Sequence, residues 1–223
     1  MKRGGYALMW SGGKDSALAL YRARKAGIEV SRLLTFYDRA TRRVRFHATR
    51  SSVVSAQAKA TGAGQWDGIG SSWPAMEAQL VVELGKMRDS GVEGVVFGDI
   101  HLADVRAWYE DRVMAAGLEH VEPIWGEQPA DLLREFVDIG GRAVVTCVDL
   151  TRLDASWLGR IVDERFVHDI TETGVDVCGE NGEFHTFAFE GPMFVHPVGW
   201  RPGKTRTDAR FSQLDVLRAH HGR

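Results

Sequence analysis

The chain has 223 residues, enough for one large domain or for a domain with a smaller second lobe. Hydrophobic residues make up 44% and charged residues 26%, a balance that supports a sizeable core and excludes wholesale disorder. The formal net charge of -2 gives no sign of a broad nucleic-acid surface, and no run of about 18 apolar residues offers a membrane span. In chain order, Met1-Lys2-Arg3-Gly4-Gly5 shows no signal-peptide core and leads into Tyr6–Trp10, which reads as a buried strand. Ser-Gly-Gly follows, then a helix predicted over Ala17–Ala26 and stopped by Gly27. Val30–Tyr37 reads as a second strand and Val44–His47 as a short, weaker one. Ser51-Ser52 are expected to cap a helix through Ala60.

Trp66–Ser72 reads as a glycine-rich loop. Pro74 opens a predicted helix to about Asp89, with Met76, Leu80, Leu84 and Met87 on one face. Gly94–Gly98 reads as a buried parallel strand, followed by a helix carrying Val105, Tyr109, Val113 and Ala116. Val121–Trp125 is strand-like, Pro129 begins another helix, and Ala143–Val148 is a further candidate strand. This alternation predicts an α/β fold, a doubly wound, Rossmann-like parallel sheet, through about residue 148. A helix over Ala155–Phe166 and a strand over Phe184–Phe189 are expected in a smaller C-terminal lobe, residues 149–223. The polar, basic stretch after Trp200 is expected to be partly mobile. Cys147 and Cys178 lack metal-ligand spacing; they read as buried thiols of a reduced, cytoplasmic protein, with a disulfide between them left open.

The central signal is Ser11-Gly12-Gly13-Lys14-Asp15-Ser16 between the first strand and the first helix. Glycines let backbone N–H groups converge on an anion, and the helix N-terminus adds further donors and a partial positive charge. Ser11 and Ser16 add hydroxyls and Lys14 a full charge. Asp15 would repel a bare phosphate, so it is expected to hold Mg²⁺ or a structural hydrogen bond. Leu8 and Asp15 stand where a Walker A loop needs Gly and Ser or Thr. A second constellation, Gly179-Glu180-Asn181-Gly182-Glu183-Phe184-His185-Thr186, brings two carboxylates and an imidazole into one turn and strand. Strand alternation puts Glu183 and His185 on one face. Such a pair suits acid–base work, metal binding or amine recognition, or a plain Glu–His hydrogen bond that fixes a loop. Asp99 and His101 end a parallel strand, where open sheets place ligands, and His47 follows a strand in a position to touch a nucleotide.

The six-residue loop resembles the PP-loop of the N-type ATP pyrophosphatases. Together with the Gly179–Thr186 segment it resembles the diphthine–ammonia ligase (diphthamide synthetase) family. Phe46-His47-Ala48-Thr49, Pro123-Ile124-Trp125, Leu132-Leu133-Arg134-Glu135, Gly140-Gly141-Arg142-Ala143 and Leu158-Gly159-Arg160 add weaker likenesses. The resemblance implies an adenine-nucleotide α-hydrolase-like domain over 1–148 and a substrate lobe over 149–223. It implies an ATP- and Mg²⁺-using ligase that activates a carboxylate as its adenylate, transfers ammonia to it, and releases AMP and pyrophosphate. On that reading Ser11, Gly12, Gly13, Lys14, Asp15, Ser16 and Asp99 bind the nucleotide, with Mg²⁺ at Asp15. Lys14, Asp15, Glu183 and His185 are the catalytic candidates, and His101, Arg106, Glu180, Glu183 and His185 face the acceptor. The expected partners are a small-molecule or protein-borne carboxylate, ammonia and a second copy of the chain, without nucleic acid or membrane. Arg106 and Glu110 fit the family's string after the fourth strand, but Leu102 and Ala103 replace its Ser-Asp, so the acceptor need not be diphthine. An RNA-modifying PP-loop enzyme and an ATP-holding sensor without turnover are the competing readings.

Overall fold

The computed structural model describes residues 5–44, 47, 49–70 and 75–219. Its first sheet has five parallel strands in the order β3-β2-β1-β4-β5: β1 (Tyr6–Met9), β2 (Val30–Asp38), β3 (Gly64–Gly70), β4 (Gly94–Val96) and β5 (Glu119–Val121). Helices α1 (Lys14–Lys25), α2 (Ser51–Thr61), α3 (Ala75–Asp89) and α4 (Ala103–Ala115) join them. Leu8, Leu33, Leu34, Val95 and Val96 are buried in this sheet. Each such side chain contributes roughly 1.5–3 kcal/mol by leaving water. The strand order reverses between β1 and β4, which opens a crevice at their C-terminal ends.

Helix α5 (Pro129–Asp138) leads to a second sheet built around β6 (Arg142–Asp149). Antiparallel β8 (Phe184–Glu190) pairs along β6, which also pairs β7 (Ile161–Val162) and β10 (Phe211–Arg218). Strand β9 (Trp200–Thr207) forms the edge next to β10. Residues 142–149 are therefore a strand as predicted, but they organise the antiparallel sheet and do not extend the parallel one. The reason is local: every residue from Ala143 to Asp149 is buried, and partners on both edges take up its backbone groups.

Five further expectations change. Gly64–Gly70 is an edge strand, since Gly68 is needed for packing: a Cβ there would lie 2.6 Å from the Phe36 ring. The predicted helix over 155–166 is a 3-10 turn at Ala155–Trp157, then β7, then α6 (Glu164–Thr171). Gly159 turns the chain at φ 81°, and the Asp163 carboxylate accepts the Phe166 N–H to start α6 afresh. Residues after Trp200 form the β9–β10 hairpin, because Ser212, Leu214 and Val216 face inward while the Arg-rich β9 stays exposed. The strand expected at Val121–Trp125 is β5 at Glu119–Val121, and residues 123–126 form a turn that Pro123 begins. Near Val44 the described residues show isolated bridges, Tyr37 to Val44 and Arg43 to Arg50, while Arg45 and Phe46 of the expected strand lie outside the described residues, as do Ser71, Ser72 and Pro74. Both cysteines are free and buried, which settles the open disulfide. Among the described residues no helix is long and apolar enough to cross a membrane.

Candidate active site

A cavity of about 630 Å³ lies where the crevice of the first sheet meets the second. The Ser11–Ser16 loop forms one wall. Gly12 has φ 84°, and a Cβ there would meet Gln57 Oε1 at 2.6 Å. Gly13 needs its bareness for a different reason: a Cβ would sit 2.9 Å from His47 Cε1. Gly98, at the end of β4, lies so close that a Cβ would come within 3.0 Å of the Asp15 carbonyl and the Ser16 N–H. The loop's shape is held from outside. Gln57 Nε2 donates to the Gly12 carbonyl at 2.9 Å and to the Ala188 carbonyl at 2.7 Å. The Ala188 N–H also donates to the Gly12 carbonyl, and the Lys14 N–H donates to Thr186 Oγ1 at 3.0 Å. Strand β8 of the second sheet therefore braces the loop of the first.

Lys14 is buried. Its Nζ donates to both Asp15 oxygens, at 2.8 and 2.9 Å, and to the Cys178 carbonyl at 2.5 Å. Burial, the largest single influence, pulls its pKa down, but Asp15, by charge and hydrogen bond, together with Cys178 and Glu180 outweighs it, and the net shift is upward. Asp15 thus has both oxygens on Lys14, and among the described residues no group of three His, Cys, Asp or Glu side chains is placed to hold a metal. This donor set does not fit Mg²⁺ at Asp15 in the arrangement seen. Ser11 Oγ and Ser16 Oγ lie 3.2 Å apart, and Ser16 also donates to the Gly13 carbonyl.

The rest of the lining is acidic and aromatic: Asp99, Asp104 and Glu180 join Asp15 of the loop, with Phe97 and Trp108. Burial and then Asp15 push the Asp99 carboxyl up to about 6. Burial and Asp15 likewise push Glu180 up to about 7, against the Ile100 N–H, which donates to its Oε2 at 3.2 Å. That hydrogen bond ties the turn before β8 to the end of β4. His47 and His185 also line the cavity, with ring centroids 4.6 Å apart. Burial lowers the pKa of both, most of all His185, where His47 and Lys14 add to the effect. His47 Nδ1 lies 3.2 Å from the Thr186 carbonyl; a carbonyl only accepts, so Nδ1 carries the proton and Nε2 has a free lone pair.

Of the residues singled out in the sequence, Ser11, Lys14, Asp15, Ser16, Asp99, Glu180 and His185 line this cavity, while Gly12 and Gly13 shape its loop. Glu183 does not line it. Its buried Oε1 accepts from the Asp176 N–H at 3.3 Å and Asn181 Nδ2 at 3.4 Å, so it holds the turn that carries Glu180. His101 lies outside, with Nε2 2.7 Å from Asp176 Oδ2. Arg106 is turned toward Glu122 and Glu110 and stacks over Trp125. Sequence reasoning missed Gln57 and the structural part of Thr186. A glutamine inside a predicted helix gives no warning that it will be fully buried against a loop carbonyl.

Two family models match: the diphthamide synthase N-terminal domain over residues 4–120, more than half the chain, and its C-terminal domain over residues 128–209. The chain is 32% identical over 128 residues to a diphthine–ammonia ligase of Homo sapiens, an alignment that covers 55% of this chain and 48% of that one. It is 31% identical over 128 residues to the Bos taurus protein of that name, with the same coverage. For the Danio rerio protein the figure is 31% over 133 residues, 57% of this chain and 52% of the other. The chain thus spans about half the length of the curated relatives it matches. With a phosphate-type loop at the strand-order reversal, a bracing strand from a second sheet, and both halves matched in order, the chain belongs to the diphthamide synthase family.

Proposed function

We propose that this chain is an ATP-dependent ligase that activates a carboxylate as its adenylate, joins it to ammonia, and releases AMP and pyrophosphate. The observation that carries the reading is the convergence of the Ser11–Ser16 loop with Asp99, Glu180 and His185 in one cavity. The loop suits the β- and γ-phosphates. The α1 N-terminus supplies fixed donors, the Gly13 and Lys14 N–H groups being held by Ser11 Oγ and Thr186 Oγ1, and Lys14, held protonated, offsets the negative charge that develops on pyrophosphate as it leaves. Asp15 keeps Lys14 in place until phosphate oxygens compete for it. No step is assigned to a metal.

Ammonia arrives as ammonium and must lose a proton before its nitrogen can attack. Asp99 and Glu180, with carboxyls near neutrality, and His47, neutral with a bare Nε2, are the groups that could take it. Cationic ammonium is favoured beside four carboxylates. Glu183 acts through the turn it holds, as a positioning residue. We place the division between nucleotide part and substrate lobe where the two sheets change, between β5 and α5, rather than at residue 148. The two lobes jointly build the site, since Thr186 and Ala188 brace the loop. The relatives' acceptor is diphthine by their names; here Leu102, against the cavity, leaves the acceptor to be found.

The test is to incubate the chain with ATP, ammonium and a panel of carboxylic acids, diphthine included. AMP, pyrophosphate and an amide in equal amounts support the reading. ADP as the nucleotide product, or tight ATP binding without turnover on any acceptor, contradicts it.

A further inference from the structure

Glu180 is carried by the turn between α6 and β8, and that turn is tightly built within itself. Asp176 Oδ1 accepts the Cys178 N–H at 2.7 Å and the Gly179 N–H at 3.1 Å, and the Asp176 carbonyl accepts the Gly179 N–H at 2.9 Å. Gly179 has φ 74°, and a Cβ there would meet the Phe184 carbonyl at 2.7 Å. From the far end of the turn, Glu183 Oε1 accepts the Asp176 N–H. A turn so braced behaves as one piece, so what fixes its outside also fixes Glu180.

Among the described residues, three hydrogen bonds tie this turn to the loops of the first sheet. Lys14 Nζ donates to the Cys178 carbonyl at 2.5 Å, the Ile100 N–H donates to Glu180 Oε2 at 3.2 Å, and His101 Nε2 lies 2.7 Å from Asp176 Oδ2. The last two come from consecutive residues of the loop after β4, which is itself anchored. Ile100 is fully buried, and its carbonyl accepts the Gly126 N–H at 2.8 Å. Phosphate oxygens compete for the Lys14 tie. The Ile100 tie is long and holds a carboxylate whose ionised form burial opposes. The His101 tie is short and open to neither objection. A carboxylate only accepts, so Nε2 carries the hydrogen, and the bond to Asp176 leads the influences that raise the His101 pKa. His101 does not line the cavity; its side chain is 37% exposed at the rim, against 9% for Asp176.

We propose that His101 is a positioning residue: through Asp176 it clasps the turn to the loop after β4 and keeps Glu180 directed into the cavity while the phosphates engage Lys14. The use made of Glu180 rests on the ligase reading; the clasp itself does not. Asp176 serves both ends of the device, with Oδ1 shaping the turn and Oδ2 fastening it.

The first test needs neither nucleotide nor acceptor: amide hydrogen exchange followed residue by residue by NMR. In His101→Ala the Ile100 N–H, bonded to Glu180, should exchange about tenfold faster. The Cys178 and Gly179 N–H groups, bonded inside the turn, and the Lys14 N–H, bonded to Thr186, should keep their rates. His101→Gln returns an N–H donor near the position of Nε2 and should restore the Ile100 rate. In turnover, His101→Ala should lower kcat for amide formation about tenfold and leave KM for ATP within about twofold, with His101→Gln recovering most of the loss. The proposal is overturned by Ile100 exchange that does not change in His101→Ala, by equal acceleration at Cys178 and Gly179, or by a loss carried in KM for ATP. If exchange behaves as stated but even the unmodified chain makes no amide, the ligase reading fails and the clasp stands.

Discussion

The loop after β1 and the strand ends of β4 and β5 are neighbours in one crevice, yet they treat buried polar groups in opposite ways. In the loop, the Gly12 carbonyl, the Lys14 N–H, the Lys14 ammonium and Ser16 Oγ all have hydrogen-bond partners. Behind Asp99, the Glu122 oxygens and His120 Nε2 have none. Full satisfaction makes a rigid cradle, suited to a ligand whose shape does not change until bond cleavage. Incomplete satisfaction makes charge costly there, and burial pushes the Glu122 carboxyl up. The contrast assigns nucleotide binding to the first region and acid–base work to the second.

The sharpest break of this contrast is Gly13→Val. Its Cβ would drive into His47 and its branches would shield the loop N–H groups, so ATP affinity by calorimetry should fall at least about a hundredfold, consistent with overpacking of up to ~3 kcal/mol. Glu180→Gln probes the acid–base side of the cavity, on the turn before β8 that the Ile100 N–H ties to the segment after β4. ATP affinity should stay within about twofold, while amide formation at saturation drops about a hundredfold, the usual scale for a positioned acid or base. Glu183→Gln should cost less than Glu180→Gln, because Glu183 only holds the turn. Should the two rank the other way, the assignment of Glu180 to the reacting groups is wrong.

Thr186→Val tests whether the second sheet braces the loop. It leaves the buried Lys14 N–H without its acceptor, at a cost of about 1–3 kcal/mol, and should weaken ATP binding about tenfold with an apolar wall otherwise kept. The smallest effect on ATP binding lies away from both regions, at Asp215, which accepts from Arg43 and Arg50 and pins the segment after β2 to β10, so that its loss reads out in stability. Burial would raise its carboxyl, but the two guanidiniums win and lower it to about 2. A lowered folded-state pKa contributes stability above the unfolded value near 4, and that stability is lost as pH falls through about 2. Asp215→Asn should therefore cost about 2 kcal/mol by denaturant unfolding at neutral pH, and the gap to the unmodified chain should close between pH 4 and pH 2.

How much of this was legible in the sequence follows the same division. The phosphate loop was readable because its chemistry demands residue types: glycines where backbone must approach an anion, a helix N-terminus immediately after, a lysine between. In the parallel sheet β1, β2 and β4 were readable because buried strands are short apolar runs between helices, whereas β5 was expected at Val121–Trp125 and is Glu119–Val121, a short polar edge strand. The second sheet was less so. Strand β9 is mostly exposed and rich in Arg and Lys, so its pattern resembles a solvated tail, and only its pairing with β10 makes it a strand. Gly64–Gly70 misled because glycines usually break strands, whereas Gly68 makes room for the Phe36 ring. In the site, the Gly179–Thr186 segment was recognisable, but which carboxylate faces the cavity was not. Alternation describes β8, which begins at Phe184, and says nothing of the turn that aims Glu180 inward and Glu183 away. His120 and Glu122 were invisible for a related reason: neither stands in a motif, and their burial arises only when α4 lays Arg106 and Glu110 over the strand end.

The central claim is that the cradle after β1 positions ATP for cleavage between its α- and β-phosphates. Phosphorus-31 NMR of the chain turning over ATP with ammonium and an accepted carboxylate tests it most directly. The account predicts that AMP and pyrophosphate appear together in a one-to-one ratio, and that Gly13→Val abolishes both. Resonances of ADP and inorganic phosphate in their place would contradict it.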